Sequence, residues 1–397
     1  MPEAMPNVDA KAQAKAAADM RDGTKAESRM DLRKVLILTA DSPEQLGGVG
    51  HFVRQLQGCL GGRGYKVEVL HRENSCPRWL RRTRSRYWNY LEDFLVGYFI
   101  GRSANRNLRG ARPGSVAVIS NGPVGWYPMR RHAGQIHIYH GTYRGGAEAV
   151  RHTITTLGYW KLKYWDAGVL ERFSGRGKVC LSVSNQVAEE VSRYFNYRSD
   201  VCWLPLDVNH FRPLGEQGKW RQHWGLPEAG PVGLFVGYVS PHKGFNVAWE
   251  LARQDTAISW LVVLRGDIPP GTHPANCRIL QNVPHADLPG IYAASDFVVS
   301  PSLYDAFGYV VAEALACGVP VIASPGGASR LLLSEPPLDA LMVRDARDVA
   351  GFCAAIERVL ANRGIYQEAV LHRARPRIEE LMAPENWWRR FQESTRL

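Results

Sequence analysis

The chain has 397 residues, 45% hydrophobic and 22% charged, which exceeds one ordinary core, fits two domains and excludes a disordered or fibrous chain. Lys and Arg total 49 against 38 Asp and Glu, a formal net charge of +11, so the composition favours anionic partners: phosphorylated small molecules, anionic lipid or nucleic acid. The 7 cysteines are scattered with no C-x-x-C spacing, which argues against a disulfide framework or a zinc site and fits thiols in a reducing cytosol.

Residues 1–30 are rich in Ala, Lys, Asp and Met and lack the apolar centre of a secretion signal, so a disordered leader is expected there. Order is expected from Asp31. Residues 35–38 form a short apolar run of the kind a buried parallel strand shows. Gly47-Gly48-Val49-Gly50 follows as a loop. Residues 51–60 then have helical spacing, with Phe52, Val53, Leu56 and Leu60 on one face. Further strands are expected over 66–70, 116–120, 136–139 and 179–183. After Leu204-Pro205-Leu206-Asp207 the pattern restarts. Strands are expected over 232–236, 260–264, 297–300 and 319–323, with helices over 245–252, 287–294 and 309–316. The alternation predicts two α/β domains with parallel sheets, 31–205 and 206–380, hinged near 205–230. No apolar run reaches the roughly 18 residues of a transmembrane helix.

Two segments carry competing readings. Gly48-Val49-Gly50, with Glu68 further on, mimics a dinucleotide fingerprint. Its third glycine is Val53, however, and a polar loop separates it from the strand, whereas the fingerprint follows its strand at once. A looser loop suits a diphosphate reached across a cleft. Residues 78–112 hold nine Arg and two acidic residues, interleaved with Trp79, Tyr87, Trp88, Tyr90, Phe94, Tyr98 and Phe99. An amphipathic helix packed on its own domain and a surface for anionic membrane or phosphorylated lipid both fit this composition. No recognised nucleic-acid module accompanies the charge, so nucleic acid is not expected as a partner.

The richest stretch is 296–323, which reads strand, loop, helix, Gly stop, strand. Asp305 and Gly308 lie in the loop at the C-terminal end of a strand, where open α/β sheets bind ligands. The following helix turns its free N–H groups and positive dipole end toward that loop, a fit for phosphate. Glu313 lies one turn into the helix, within reach of ligand hydroxyls.

Asp305-x7-Glu313 followed by A-x-A-x-G-x-P-V-I-A resembles the E-x7-E signature of retaining glycosyltransferases of the GT-B fold, family 4 in particular. Phe235-Val236-Gly237-Tyr238-Val239-Ser240-Pro241-His242-Lys243-Gly244 is similar to that family's donor loop, and Leu204 to Pro213 to its interdomain linker. The resemblance covers most of the chain from about residue 33. It implies two Rossmann-like domains facing a cleft, with 381–397 a helix returning to the N-domain. It also implies a sugar moved from a nucleotide-diphosphate donor to an acceptor hydroxyl with retention of configuration. Glu313 would bind the donor ribose, Asp305 the transferred sugar and Lys243 the diphosphate. Backbone N–H groups of Phe307, Gly308, Tyr309 and Val310 would complete the phosphate cradle. Gly48 and Gly50 would face the donor, and His140 would lie near the reacting sugar. The sequence departs from the family at two places: Asp305 stands for Glu, and Tyr238 stands where an Arg usually partners the loop Lys, with Arg265 a substitute cation.

No Asp-x-Asp triplet occurs, so a metal-independent reaction with no cofactor beyond the donor is expected. The acceptor is left open among glycan, lipid-linked and small-molecule compounds. The expected location is cytoplasmic, with the inner face of a membrane as the alternative. Two other readings share the fold: a catalytically silent nucleotide-sugar binder or scaffold, and a sugar phosphorylase.

Overall fold

The computed structural model describes residues 34–44, 47–81, 91–130, 134–268, 271 and 273–397. The expected leader over 1–30 and the run 82–90 of the basic segment lie outside the described residues. β1 (Lys34–Leu38) sets the pattern. Val35 and Ile37 enter one core while Leu36 and Leu38 enter another on the opposite face, which is why the run is continuously apolar rather than alternating. In chain order there follow α1 (Gly48–Gly61), β2 (Lys66–Leu70), α2 (Glu92–Asn107), β3 (Val116–Asn121), β4 (Gly134–Tyr139), α3 (Tyr143–Ala149) and α4 (Thr156–Trp160). α4 continues as π-helical turns over Lys161–Glu171. β5 (Val179–Ser182), α5 (Asn185–Phe195) and β6 (Asp200–Val201) complete the first half. These strands form one sheet in the order β2-β1-β3-β4-β5-β6, every pair parallel.

The second half contains β7 (Val232–Tyr238), α6 (Phe245–Gln254), β8 (Ser259–Arg265), β9 (Cys277–Gln281), α7 (Leu288–Ala294), β10 (Phe297–Ser300), α8 (Tyr309–Ala316) and β11 (Val321–Ala323). Its sheet runs β11-β10-β7-β8-β9, again wholly parallel. Two parallel-sheet α/β domains are therefore present. In each sheet the order reverses once, beside β1 in the first and beside β7 in the second. The loops leaving those reversal points are where such sheets hold ligands.

The structure corrects several local expectations. Gly48, Val49 and Gly50 are not a loop; they form the first turn of α1, because Gly47 already accepts a helical bond from the His51 N–H at 3.0 Å. β6 and β9 went unpredicted. β9 is an edge strand with only half-buried and exposed residues, so it lacks the apolar run that marks the central strands. β11 starts at Val321 because Pro320 has no N–H to pair. In the basic segment, α2 buries Val96, Ile100 and Ala104 against Leu36, Leu38 and Val118, and Phe94 stacks on Trp126 at 4.4 Å. The described part of 78–112 therefore contains a packed helix.

The last helix, α9 (Pro384–Thr395), comes after the second domain yet lies on the first. Trp387 meets Phe52 of α1 edge-on at 6.0 Å and lies over Phe391 at 5.1 Å. Arg63, just past α1, pairs with Glu385 at 2.7 Å and sits 4.8 Å over the Trp388 ring. Trp387 is 2% exposed, so Trp387→Ala removes a filled aromatic volume between α9 and α1. The expected loss is about 3–5 kcal/mol of unfolding free energy. Chemical denaturation measures it; a loss under about 1 kcal/mol would mean that α9 does not brace the first domain.

Candidate active site

The second sheet positions the site through the two loops that leave its reversal point, after β7 and after β10. The first turns through Pro241–Lys243 and ends on Gly244 at φ 66. A Cβ at Gly244 would lie 1.9 Å from the Pro301 carbonyl oxygen, so only glycine lets this loop press against the end of β10. The Leu303 N–H then donates to the His242 carbonyl at 2.9 Å. These contacts bring the Lys243 ammonium to 2.7 Å from Asp305 Oδ2.

From Asp305 the chain passes through Phe307 to Gly308, left-handed at φ 88, and enters α8 at Tyr309. The first-turn N–H groups of a helix have no intrahelical acceptor. Phe307, Gly308, Tyr309 and Val310 all line the cleft, as do Lys243, Asp305 and Glu313. Glu313 is only 4% exposed. It accepts a 2.7 Å bond from the Tyr292 hydroxyl through Oε2, and its Oε1 lies 3.5 Å from His285 Nε2.

The first sheet supplies the opposite wall. Gly48 lines the cleft, and a Cβ there would lie 3.8 Å from the Tyr309 ring. The N-termini of α1 and α8 therefore approach one another, and both bring partial positive charge. Gly50, expected beside the donor, is buried inside the first turn of α1 and does not line the cleft. His140 follows β4 and lines the cleft. Its Nε2 lies 2.9 Å from Asn121 Oδ1, while Asn121 Nδ2 donates to the Leu38 carbonyl at 3.4 Å. With that amide orientation the imidazole carries its proton on Nε2 and keeps Nδ1 as an acceptor. Burial lowers its pKa to about 4, so His140 is neutral at physiological pH.

Several lining residues were missed by sequence reasoning. His51 and His285 face each other at 4.6 Å between ring centroids, and His51 meets Tyr309 at 5.5 Å. Burial, helped by His285, lowers the His51 pKa to about 4. No local pattern links residues so far apart in sequence. Arg265 was legible in part: the β7–β8 register pairs it with Tyr238, and both line the cleft. The cation missing at position 238 is thus matched by one on the neighbouring strand. The cleft holds a cavity of ≈ 230 Å³, just below the range of about 300–1,000 Å³ usual for small-ligand clefts.

Direct hydrogen bonds hold the two walls together. The Tyr304 hydroxyl donates to Glu190 Oε2 at 2.8 Å and accepts from the Thr142 N–H at 3.0 Å. Ser184 donates to the Ala306 carbonyl at 2.6 Å, and the Gly327 N–H to Gln186 Oε1 at 3.3 Å.

Two Rossmann-like domains closed over such a cleft define the GT-B class of glycosyltransferase. Residues 46–209 match the family described as Glycosyltransferase Family 4, and residues 230–362 match Glycosyl transferases group 1. The chain belongs to this group 1, family 4 type. It is 29% identical over 220 residues to O-antigen chain mannosyltransferase B of Escherichia coli, a match covering 49% of this chain and 55% of that protein. It is 32% identical over 194 residues to D-inositol 3-phosphate glycosyltransferase of Salinispora arenicola (strain CNS-205), covering 42% of this chain and 43% of that protein. The chain thus spans about half the length of these relatives. Its fold is similar to that of sucrose-phosphate synthase from Thermosynechococcus elongatus, at 18% identity and a TM-score of 0.74, covering 92% of this chain and 98% of that one.

The buried neutral His140 has a consequence for acid stability. Its pKa is about 4 in the fold against an ordinary value of 6.5. Between those pH values the unfolded chain takes up a proton that the folded chain refuses. Stability therefore falls as pH drops from about 6.5 to about 4, and below that window this group costs nothing more. His140→Asn is expected to flatten the decline of Tm across the window, measured by calorimetry at a series of pH values. An unchanged slope would mean that His140 is protonated in the folded protein.

Proposed function

We propose that the protein transfers a sugar from a nucleoside-diphosphate sugar to an acceptor hydroxyl with retention of configuration, and that no metal bridges the diphosphate. The observation that carries this reading is the convergence of positive groups in the cleft: Lys243, Arg265 and the N-termini of α1 and α8. Negative charge grows on the departing diphosphate as the glycosidic bond breaks. Fixed cations and helix N–H groups stabilise that charge without reorganising, a contribution commonly of several kcal/mol.

The remaining roles follow from position. Glu313, held by Tyr292, accepts from the donor ribose hydroxyls. Asp305 contacts the transferred sugar, and its bond to Lys243 sets the distance between sugar and phosphate. Among the described residues, the carboxylates lining the cleft are Asp305 and Glu313, both on the second domain. That placement favours a same-face displacement, in which the leaving phosphate oxygen takes the acceptor proton, over a covalent intermediate. His140, neutral and with a free acceptor nitrogen, orients a hydroxyl of the sugar rather than supplying charge. The acceptor enters from the first domain; a glycan, a lipid-linked sugar or a small polyol fits. The relatives' names, one an O-antigen mannosyltransferase and one an inositol-phosphate glycosyltransferase, support that acceptor range.

Two measurements test this reading. Glu313→Gln keeps the size of the side chain but removes its charge, and donor affinity by calorimetry is expected to fall about tenfold, the scale of a charged hydrogen bond. Unchanged affinity in a folded variant would remove Glu313 from the ribose site. In steady-state assays with the cognate nucleotide sugar, Lys243→Ala is expected to lower kcat by on the order of 10²–10³, while excess EDTA leaves the wild-type rate unchanged. A wild-type kcat in the variant, or activity lost to EDTA and restored by Mn²⁺, would overturn the electrostatic scheme.

A further inference from the structure

Among the described residues, an exposed apolar patch on α4 is left unused by the function. α4 and the π-helical turns that continue it bury Ala167 and Leu170 toward the first domain, yet turn large side chains to solvent on the other side. Leu157 is 65% exposed, and Trp160 and Tyr164 are each 52% exposed. Their spacing of three and four residues places them in one row, and the Trp160 and Tyr164 rings stack at 4.8 Å and 18°. Leu91 joins the row from the start of α2, forming an open groove with Leu157, Lys161 and Trp165. Side chains of this size on a surface helix ordinarily turn inward; here they form a raised ridge.

Along α4 and the turns up to Trp165, the ridge is bordered by one sign of charge. No Asp or Glu occurs between Arg151 and Trp165. The Arg151 guanidinium lies 4.4 Å over the Tyr159 ring, and the Lys163 ammonium lies 5.3 and 5.5 Å from the Tyr159 and Tyr164 rings. Lys161 takes up Asp166, the next acidic residue, at 2.6 Å. Trp and Tyr combine an apolar ring with a polar tip, and with Lys and Arg beside them they suit the boundary between headgroups and acyl chains.

We infer that the Leu157, Trp160 and Tyr164 ridge docks the protein on an anionic lipid bilayer. A second copy of the chain is a poorer occupant, because a two-fold contact through this patch sets Arg151 and Lys163 of one copy against the same residues of the other. The basic segment of the sequence drew attention to α2, but α2 spends its apolar face on the core; the exposed ridge belongs to α4. α4 packs through its π-helical turns on α3, whose N-cap Thr142 bonds Tyr304 of the second domain. A bilayer seated on the ridge therefore lies on the acceptor side of the molecule. The docking itself does not depend on the donor reading.

Co-sedimentation with phosphatidylcholine vesicles, with and without phosphatidylglycerol, tests the inference. The wild-type chain is expected to pellet with the anionic vesicles only, and less so as salt rises, since exposed charges are screened beyond about 10 Å at 0.1 M. Leu157→Asp combined with Trp160→Asp is expected to lower the bound fraction about tenfold or more. Lys163→Gln with Arg151→Gln should weaken binding less and flatten its salt dependence. An unchanged Tm in each variant confirms that it is folded and separates this result from the donor reading. Equal pelleting with neutral vesicles, no pelleting by the wild type, or wild-type binding by the double Asp variant would each overturn the assignment. So would a dimer, seen by light scattering, that Trp160→Asp dissolves without any vesicle binding.

Discussion

Like charge converges on the cleft from both domains, and the structure must hold it there. Lys243, Arg265 and the ends of α1 and α8 all contribute positive potential, and Asp305 balances it through its 2.7 Å bond to Lys243. That pair exists because two loops from opposite sides of a strand-order reversal are pressed together at Gly244 and Pro301. The parallel sheet fixes where the loops emerge, glycine permits their contact, and the charges follow. A side chain at position 244 would separate the loops and unbalance the cleft.

The second requirement is that the walls keep their distance. His140 and Gly48 stand on one sheet, Asp305 and Glu313 on the other. A chemical site shared this way is only as well defined as the connection between domains. Tyr304, joined to the first domain by two hydrogen bonds, lies next to Asp305 in the sequence, so interdomain contact and the cleft lining share one short loop. α9 adds a tie on the far side of α1, by returning Trp387 to Phe52. Together they hold the cleft from two directions.

Much of this architecture was legible in the sequence. Central strands buried on both faces leave apolar runs, and β1, β3, β7, β8 and β10 were read from them. The edge strands β6 and β9 were not, since an edge needs no such run. The Asp305 and Glu313 spacing marked one wall because a loop and one helical turn keep both residues in view of the same ligand. The facing wall was harder. Gly48 to Gly50 looked like a loop because glycine is a poor helix former, yet the helix starts there. The contacts of His51 with His285, and of Glu313 with Tyr292, depend on the folding of distant segments and leave no local trace. The composition of 78–112 left a packed helix and a membrane surface both open, because composition does not say which face a helix buries.

The Tyr304 contact also bears on how such proteins recombine. A GT-B chain looks divisible, with one half for the acceptor and one for the donor, so exchanging halves between relatives is an obvious route to new transferases. Here the second half carries a tyrosine whose hydroxyl pairs with Glu190 and Thr142 of the other half. The two halves are therefore a matched set at this point. A chimaera that imports the second half without these two partners leaves a buried hydroxyl unpaired beside the Asp305 loop. The unit of modular exchange is then the domain together with its cross-cleft partners.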